Sequence, residues 1–347
     1  MELAYQPITL ALETPFRIAH GTSMVRQNVL VRIRSGEQEG LGEAAPVRQH
    51  HETQQGVMDY LGRLSLPDDP FLLEDAMASL PHGSQAAKAA IDIALHDIQA
   101  KALGAPLYRL WGLNPAQAPP TSFTLSIGPP EEVQARAVAA AARFSILKLK
   151  LDADEAGCLA MVRAVRSAVD SRLVADANCA WTVDQALRLI PALADLGLEW
   201  IEQPLAEDDL EGLRRLRGAS PLPIFADEPV RTARDIARLA GMVDGVNIKV
   251  MKAGGLREAQ RMIAVARAHD LQVMLGCMIE TSLGITAAAH LAPLVDWADL
   301  DGNQTVTNDP FSGVQVEGGK LVLPVGPGLG IKPRTSSVGE DDWERIA

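Results

Sequence analysis

Apolar and polar residues alternate in two stretches near the start of the chain, PITLALETPF (7–16) and QNVLVRIRSG (27–36). That period of two predicts half-buried antiparallel strands. SGEQEGLGEAAP (35–46) adds a turn and a third strand. Residues 52–110 then follow a helical period. The clearest segment, SQAAKAAIDIALHDIQAKALG, opens on Ser84 as an N-cap and ends before Gly104. The Pro-rich NPAQAPPT (114–121) marks a boundary.

From residue 121 short apolar runs alternate with Ala- and Leu-rich helical stretches. The runs are TSFTLSI, SILKLKL, RLVADAN, LEWIEQP, PIFADEP, DGVNIKV, LQVMLGCM and WADLDGN. The stretches between them include DEAGCLAMVRAVRSAV and LREAQRMIAVARAHD. Strand–helix alternation implies a parallel sheet, and eight strands imply closure. The predicted fold is α/β: a (β/α)7β modified TIM barrel over residues 119–305, with an α+β capping domain over 1–118. Residues 306–347 carry only short strands, such as those in GVQVEGGKLVL, and are expected to return to the cap.

Composition narrows this picture. With 47% hydrophobic and 22% charged residues, a chain of 347 can bury a large core. A net charge of −12 offers no basic face to phosphate, which argues against a nucleic-acid partner. No apolar run reaches the roughly 18 residues of a membrane span. The first twenty residues lack a basic region followed by an apolar stretch, so no secretory signal is expected. Cys158, Cys179 and Cys277 form no CxxC pair and read as reduced, buried thiols of a cytoplasmic protein.

Charge enters at regular places. Lys150, Asp176, Glu202, Asp227 and Lys249 each end an apolar run, at intervals of 26, 26, 25 and 22 residues. About that much chain makes one strand, turn, helix and return loop of a barrel, so all five belong at one barrel mouth. Three carboxylates there would repel one another unless a hard divalent cation joined them. Oxygen-only ligands without His or Cys favour Mg²⁺. Asn178 and Glu228 are near enough to support the ligands. Lys148 shares a strand face with Lys150, and repulsion between two such lysines lowers the pKa of one toward that of a base. Lys249 continues the inward alternation of its strand, whereas the competing Lys252 falls in the following loop. Asp299 and Asp301 share a face at the end of the eighth run, where a carboxylate pair suits a substrate ammonium group.

Together these residues resemble the enolase superfamily, and within it the muconate lactonizing enzyme subgroup. The match is the KxK of Lys148 and Lys150, then Asp176, Glu202, Asp227 and Lys249, strand by strand. The Asp-x-Asp of Asp299 and Asp301 is similar to that of dipeptide epimerases, as are the runs VNIKVMKAGGL and MLGCMIETSLGITAAAHLA. The resemblance implies a Mg²⁺-dependent 1,1-proton transfer at the α-carbon of a dipeptide's C-terminal residue. Lys150 and Lys249 would be the two bases, and Lys148 would tune Lys150 and help bind the carboxylate. Asp176, Glu202 and Asp227 would hold one Mg²⁺ per subunit. Asp299 and Asp301 would bind the α-ammonium, with Thr124 near the substrate carboxylate. The capping loops near 17–26 and 46–52, with Arg17, His20 and Arg26, would face the side chains. A homo-oligomer is expected. N-succinylamino acid racemase or o-succinylbenzoate synthase would use the same metal and lysines without needing the Asp pair. The same test weighs against a muconate cycloisomerase. A barrel that binds metal and ligand without catalysis is the rival from another class, and the opposed lysines argue against it.

Overall fold

The structure, a computed structural model, describes residues 1–19, 21–334 and 343–345. Strands β1 (Glu2–Ile18), β2 (Gly21–Ser35) and β3 (Gln38–Ala44) form an antiparallel sheet. β1 and β2 pair almost to their shared tip, with a register break between Ala11 and Phe16. They overrun the predicted runs because the hairpin tip pairs through its backbone and needs no apolar alternation. Helices α1 (Gln54–Leu61), α2 (Leu73–Ser79) and α3 (Gln85–Ala102) complete the cap. Ser84 caps α3 as expected, its side chain accepting from the Ala87 N–H. A Cβ at Gly40 or Gly42 would overlap the carbonyls of Ala94 and Ala90. Those bare positions let α3 lie directly on β3.

After the four-residue α4 (Leu107–Leu110) the barrel begins. Its strands are β4 (Ser122–Leu125), β5 (Ile146–Lys150), β6 (Arg172–Asp176) and β7 (Leu198–Glu202). Then come β8 (Ile224–Ala226), β9 (Gly245–Lys249), β10 (Gln272–Gly276) and β11 (Trp297–Asp299). All neighbours are parallel and sequential, and a bridge between Thr121 and Ala298 brings the last strand back to the first. The intervening helices are α5 (Pro130–Ala141), α6 (Glu155–Arg166), α7 (Val183–Asp195), α8 (Leu210–Ala219) and α9 (Ala233–Leu239). The last crossovers carry α10 (Val250–Ala253), α11 (Leu256–Ala268) and α12 (Ser282–Ala289). The predicted (β/α)7β order is therefore the observed one. Beyond it, Gln315–Glu317 pairs with Lys320–Val322, and Glu344–Arg345 adds to β1 in the cap sheet. No helix among the described residues is long and apolar enough to cross a membrane.

The barrel interior is layered. Ile146, Val174, Trp200, Phe225 and Met274 form a buried apolar plug toward the strand starts. Gly245 makes room for the Phe225 ring, which a Cβ there would overlap. One step above this level on β5 to β9 the inward positions turn polar: Lys148, Asp176, Glu202, Asp227 (directly after β8) and Asn247. Strand alternation thus sets the chemistry one step above the plug, at the C-terminal mouth.

Candidate active site

The strand register sets the first contacts. Lys150 pairs with Asp176, and Asp176 with Glu202, on adjacent strands. Asp227 follows directly after β8. One carboxylate oxygen from each of Asp176, Glu202 and Asp227 lies within 4.8 Å of the others, all three buried. The cost of this crowding is visible at Glu202, where burial and then Asp176 push the pKa up to about 7. Beside the trio, Asn178 donates to Asp176 at 3.1 Å and to Glu228 at 3.5 Å. Asn178 Oδ1 and Glu228 Oε2 are buried without a protein partner. An all-oxygen set with spare acceptors fits a hard divalent cation. Burial and the neighbouring Asp227 and Asp176 charges push Glu228 up to about 8.

The backbone after these ligands is unusual. Asn178, Cys179 and Gln203 adopt positive φ of 43°, 64° and 34°. The left-handed region is costly for residues other than Gly and tends to persist where function holds it. Here the bends return the Asn178 N–H to Asp176 Oδ1 at 2.8 Å and let Gln203 Oε1 accept from the Asp227 N–H at 2.9 Å.

The lysines divide around the trio. Lys150 Nζ donates to Asp176 Oδ2 at 2.5 Å, and Lys249 Nζ to Asp227 Oδ2 at 2.8 Å. Lys150 ends β5 and Lys249 ends β9, four strands apart in the eight-stranded barrel, so they approach from opposite sides. Lys148 Nζ contacts Glu202 at 2.5 Å and Asp299 at 2.6 Å, with Asp176 at 3.7 Å. Burial works against the Lys148 ammonium, but Asp299, Glu202 and Asp176 outweigh it and hold its pKa well above the usual lysine value. Carboxylates from three other strands or their ends thus govern the charge of Lys148. Burial also opposes the Lys249 ammonium, and Asp227 and Glu202 again raise its pKa. Lys252 donates to Asp227 Oδ1 at 2.5 Å and to the Asp227 carbonyl, from behind the trio. It sits in α10, a single helical turn, rather than in a loop.

A cavity of about 420 Å³ opens above these groups. Lys148, Lys150, Asn178, Asp227 and Lys249 form its floor, while Thr124, Asp299, Asp301 and Cys277 form a side. The Thr124 N–H donates to Asp301 Oδ2 at 2.6 Å. Burial and the adjacent Asp299 push Asp301 up to about 6. The cap contributes Phe16, Ile18, Arg26, Asn28, Pro46 and Gln49. Arg26 is thus brought to the cavity. Arg17 is not: it is exposed, because Phe16 and Ile18 take the inward positions of the strand. His20 lies outside the described residues. Cys158 is buried as expected, but Cys179 and Cys277 are only partly so, and all three are free thiols.

Ser122, Asn247 and Asn28 escaped the sequence reading. Ser122 donates to Asp299 at 2.5 Å, and Asn247 to Glu202 at 2.6 Å. Each lies two residues before a recognised position, Thr124 and Lys249, so the inward alternation already marked them.

Residues 3–112 match the N-terminal domain model of mandelate racemase / muconate lactonizing enzyme, and residues 132–337 match the enolase C-terminal domain-like model. The chain belongs to the mandelate racemase / muconate lactonizing enzyme family. An L-Ala-D/L-Glu epimerase from Bacteroides thetaiotaomicron is 42% identical over 337 residues, covering 95% of this chain and 88% of the relative. A dipeptide epimerase from Cytophaga hutchinsonii, solved with Mg and the dipeptide D-Ala-L-Val, superposes with a TM-score of 0.93 at 27% identity. That match covers 100% of this chain and 98% of the other. An N-succinyl Arg/Lys racemase from Bacillus cereus superposes with a TM-score of 0.90 at 26% identity, covering 100% and 99%. Within the family, then, fold similarity alone does not separate dipeptide from N-succinyl substrates, and the cavity side chains must.

Proposed function

We propose that this chain is a Mg²⁺-dependent dipeptide epimerase that inverts the α-carbon of the C-terminal residue by a two-base 1,1-proton transfer. The observation that carries the reading is the placement of Lys150 and Lys249 on opposite sides of one carboxylate trio, under a cavity that also holds Asp301. Asp176, Glu202 and Asp227 would hold the cation, which supplies a Lewis acid for the negative charge that develops on the substrate carboxylate. Lys150 and Lys249 each donate to a different carboxylate of the trio, Asp176 and Asp227, which sets their ammonium groups beside the cation site. One lysine takes the α-proton from one face, and the other returns a proton to the opposite face. Lys148, beside Glu202 and Asp299, adds a fixed positive charge near the substrate carboxylate. Thr124 lines the same side. Asp301 would take the α-ammonium of the N-terminal residue. The cavity volume suits a dipeptide with most of its surface buried.

An N-succinylamino acid has no α-ammonium, so a site for it would have nothing at that position for Asp301 to bind. The preference is supported by that carboxylate and by the 42% identical epimerase. A panel of L-Ala-L-Xaa dipeptides and N-succinylamino acids, with Mg²⁺ and after chelation, tests it. Turnover of dipeptides that stops on chelation is expected. Faster racemisation of N-succinylamino acids, or activity that survives full chelation, would overturn the reading.

A further inference from the structure

The cap grips the barrel through carboxylates that the proton transfer does not use. Asp92 of α3 accepts from the Leu256 N–H at 2.5 Å, at the start of α11. Gly255 permits this, since a Cβ there would overlap the Asp92 carboxylate. The denser contact is Glu43, fully buried at the end of β3. Its Oε1 accepts from Asn28 Nδ2 at 2.8 Å and from the Thr281 N–H at 3.0 Å. Its Oε2 accepts from Thr281 Oγ1 at 2.5 Å and from the Gly284 N–H at 3.1 Å. Thr281 is the N-cap of α12. A cap-domain carboxylate thus satisfies the free N–H groups that open a barrel helix.

The same contact reaches the cavity wall. Asn28 Nδ2 also donates to the Ile279 carbonyl at 3.1 Å, and Asn28 and Ile279 both line the cavity. Arg26 lies two residues before Asn28 on β2, and it too faces the cavity. Gln54 holds the other side of this link, donating to the Asn28 carbonyl at 2.7 Å.

We propose that Glu43 is a positioning residue for substrate binding, locking the cap's share of the cavity wall (Arg26 and Asn28) to the barrel's share (Met278 and Ile279). This rests on the dipeptide reading above. Lys150, Lys249 and the carboxylate trio stand on or directly after barrel strands, and the hydrogen bonds of Glu43 go instead to Asn28, Thr281 and Gly284, so loosening the lock disturbs binding more than chemistry.

A second carboxylate sits beside Glu43. Glu280 is buried, and its Oε1 accepts from the Met278 N–H at 2.8 Å. The bare Gly284 leaves the space that both carboxylates fill. Glu43 receives donors on both oxygens from Asn28, Thr281 and Gly284, so it is the member that carries the charge. Burial and the Glu43 charge, against the attraction of Lys249, push Glu280 up to about 8, so it stays protonated at neutral pH. Burial raises the Glu43 pKa as well, and its donors counter this. Glu280 therefore contributes shape rather than charge.

Comparing E43Q with E280Q tests the proposal, by steady-state kinetics on a dipeptide and by amide deuterium exchange. E43Q turns an accepting oxygen into an NH₂ facing N–H donors. Its KM should rise at least about tenfold with kcat within about threefold, the size expected from losing a charged hydrogen bond. Amides at 281–284 and 26–30 should exchange faster. E280Q keeps a neutral side chain of the same shape, and both constants should stay within about twofold. An unchanged KM in E43Q, a collapse of its kcat alone, or equal damage in E280Q would overturn the proposal. If E43Q fails to fold, Thr281→Val removes one donor, with an expected KM rise of about threefold, and an unchanged KM would count equally against Glu43. A wild type inactive on dipeptides would instead sink the substrate reading, and amide exchange in the variants would still test the lock.

Discussion

Asp299 accepts from Lys148 Nζ at 2.6 Å on one oxygen, while Ser122 occupies the other at 2.5 Å. The two aspartates expected to share an ammonium group are therefore not equivalent. Among the described residues, Asp301 accepts from Thr124 alone, has no lysine against it, and lines the cavity. Asp301→Asn should lower dipeptide kcat/KM by at least roughly tenfold, since a charge-assisted hydrogen bond contributes about 1.5–3 kcal/mol. The loss should lie mainly in KM, and any activity on N-succinylamino acids should fall much less. Asp299→Asn should act on kcat instead, by releasing Lys148. Equal effects of the two substitutions on KM would show that both bind the ammonium.

Lys252 tests the choice of base. Its ammonium is buried against Asp227 and lies outside the lining of the cavity. Lys252→Met breaks a buried ion pair and should lower stability by about 3–5 kcal/mol. The folded fraction should keep α-proton exchange from both epimers. Lys249→Met should abolish exchange from one of them. Chemical denaturation with exchange measured by NMR would check both, and loss of exchange in Lys252→Met alone would reverse the assignment.

Much of the fold was legible because the barrel writes itself in a repeated form. Each strand is a short apolar run, each helix an Ala- and Leu-rich stretch, and each mouth residue a charge that an apolar run does not otherwise carry. Ser122 and Asn247 were less visible because a neutral residue in a strand carries no such contrast. Arg17 illustrates a different limit. The resemblance placed it in a capping loop that faces the substrate, but strand alternation turns it to solvent and Phe16 and Ile18 inward. The sign of the Lys148 shift was illegible for a third reason. Lys148 and Lys150 are neighbours in sequence, whereas Asp299, Glu202 and Asp176, which dominate the field at Lys148, arrive from other strands. Glu43 belongs to the same class, since its barrel partners Thr281 and Gly284 are more than two hundred residues away.

His290 gives a pH dependence separate from catalysis. It is fully buried, accepts from the Tyr108 N–H at 3.2 Å and lies 3.2 Å from the Leu329 carbonyl. Burial pulls its pKa down to about 4 from 6.5. The unfolded chain therefore binds a proton that the folded one refuses between those values. Stability from this group is complete above pH 6.5 and lost as pH falls toward 4, by about 3 kcal/mol. His290→Asn, whose amide oxygen can still accept from Tyr108, should be less stable at pH 7 and should flatten the difference between pH 7 and 4. Urea midpoints at both pH values would show it, and an unchanged pH slope would exclude His290 as the source.

The most direct measurement is the incorporation of solvent deuterium at the α-carbon of a dipeptide's C-terminal residue. Each epimer is incubated separately in D₂O with Mg²⁺, using the wild type, Lys150→Ala and Lys249→Ala. The wild type should place deuterium on the inverted product of either epimer, and neither variant should invert the centre. One variant should retain exchange from one epimer only, and the other variant from the opposite epimer. Inversion without deuterium incorporation, or inversion that persists in either lysine variant, would contradict two-base proton transfer between Lys150 and Lys249.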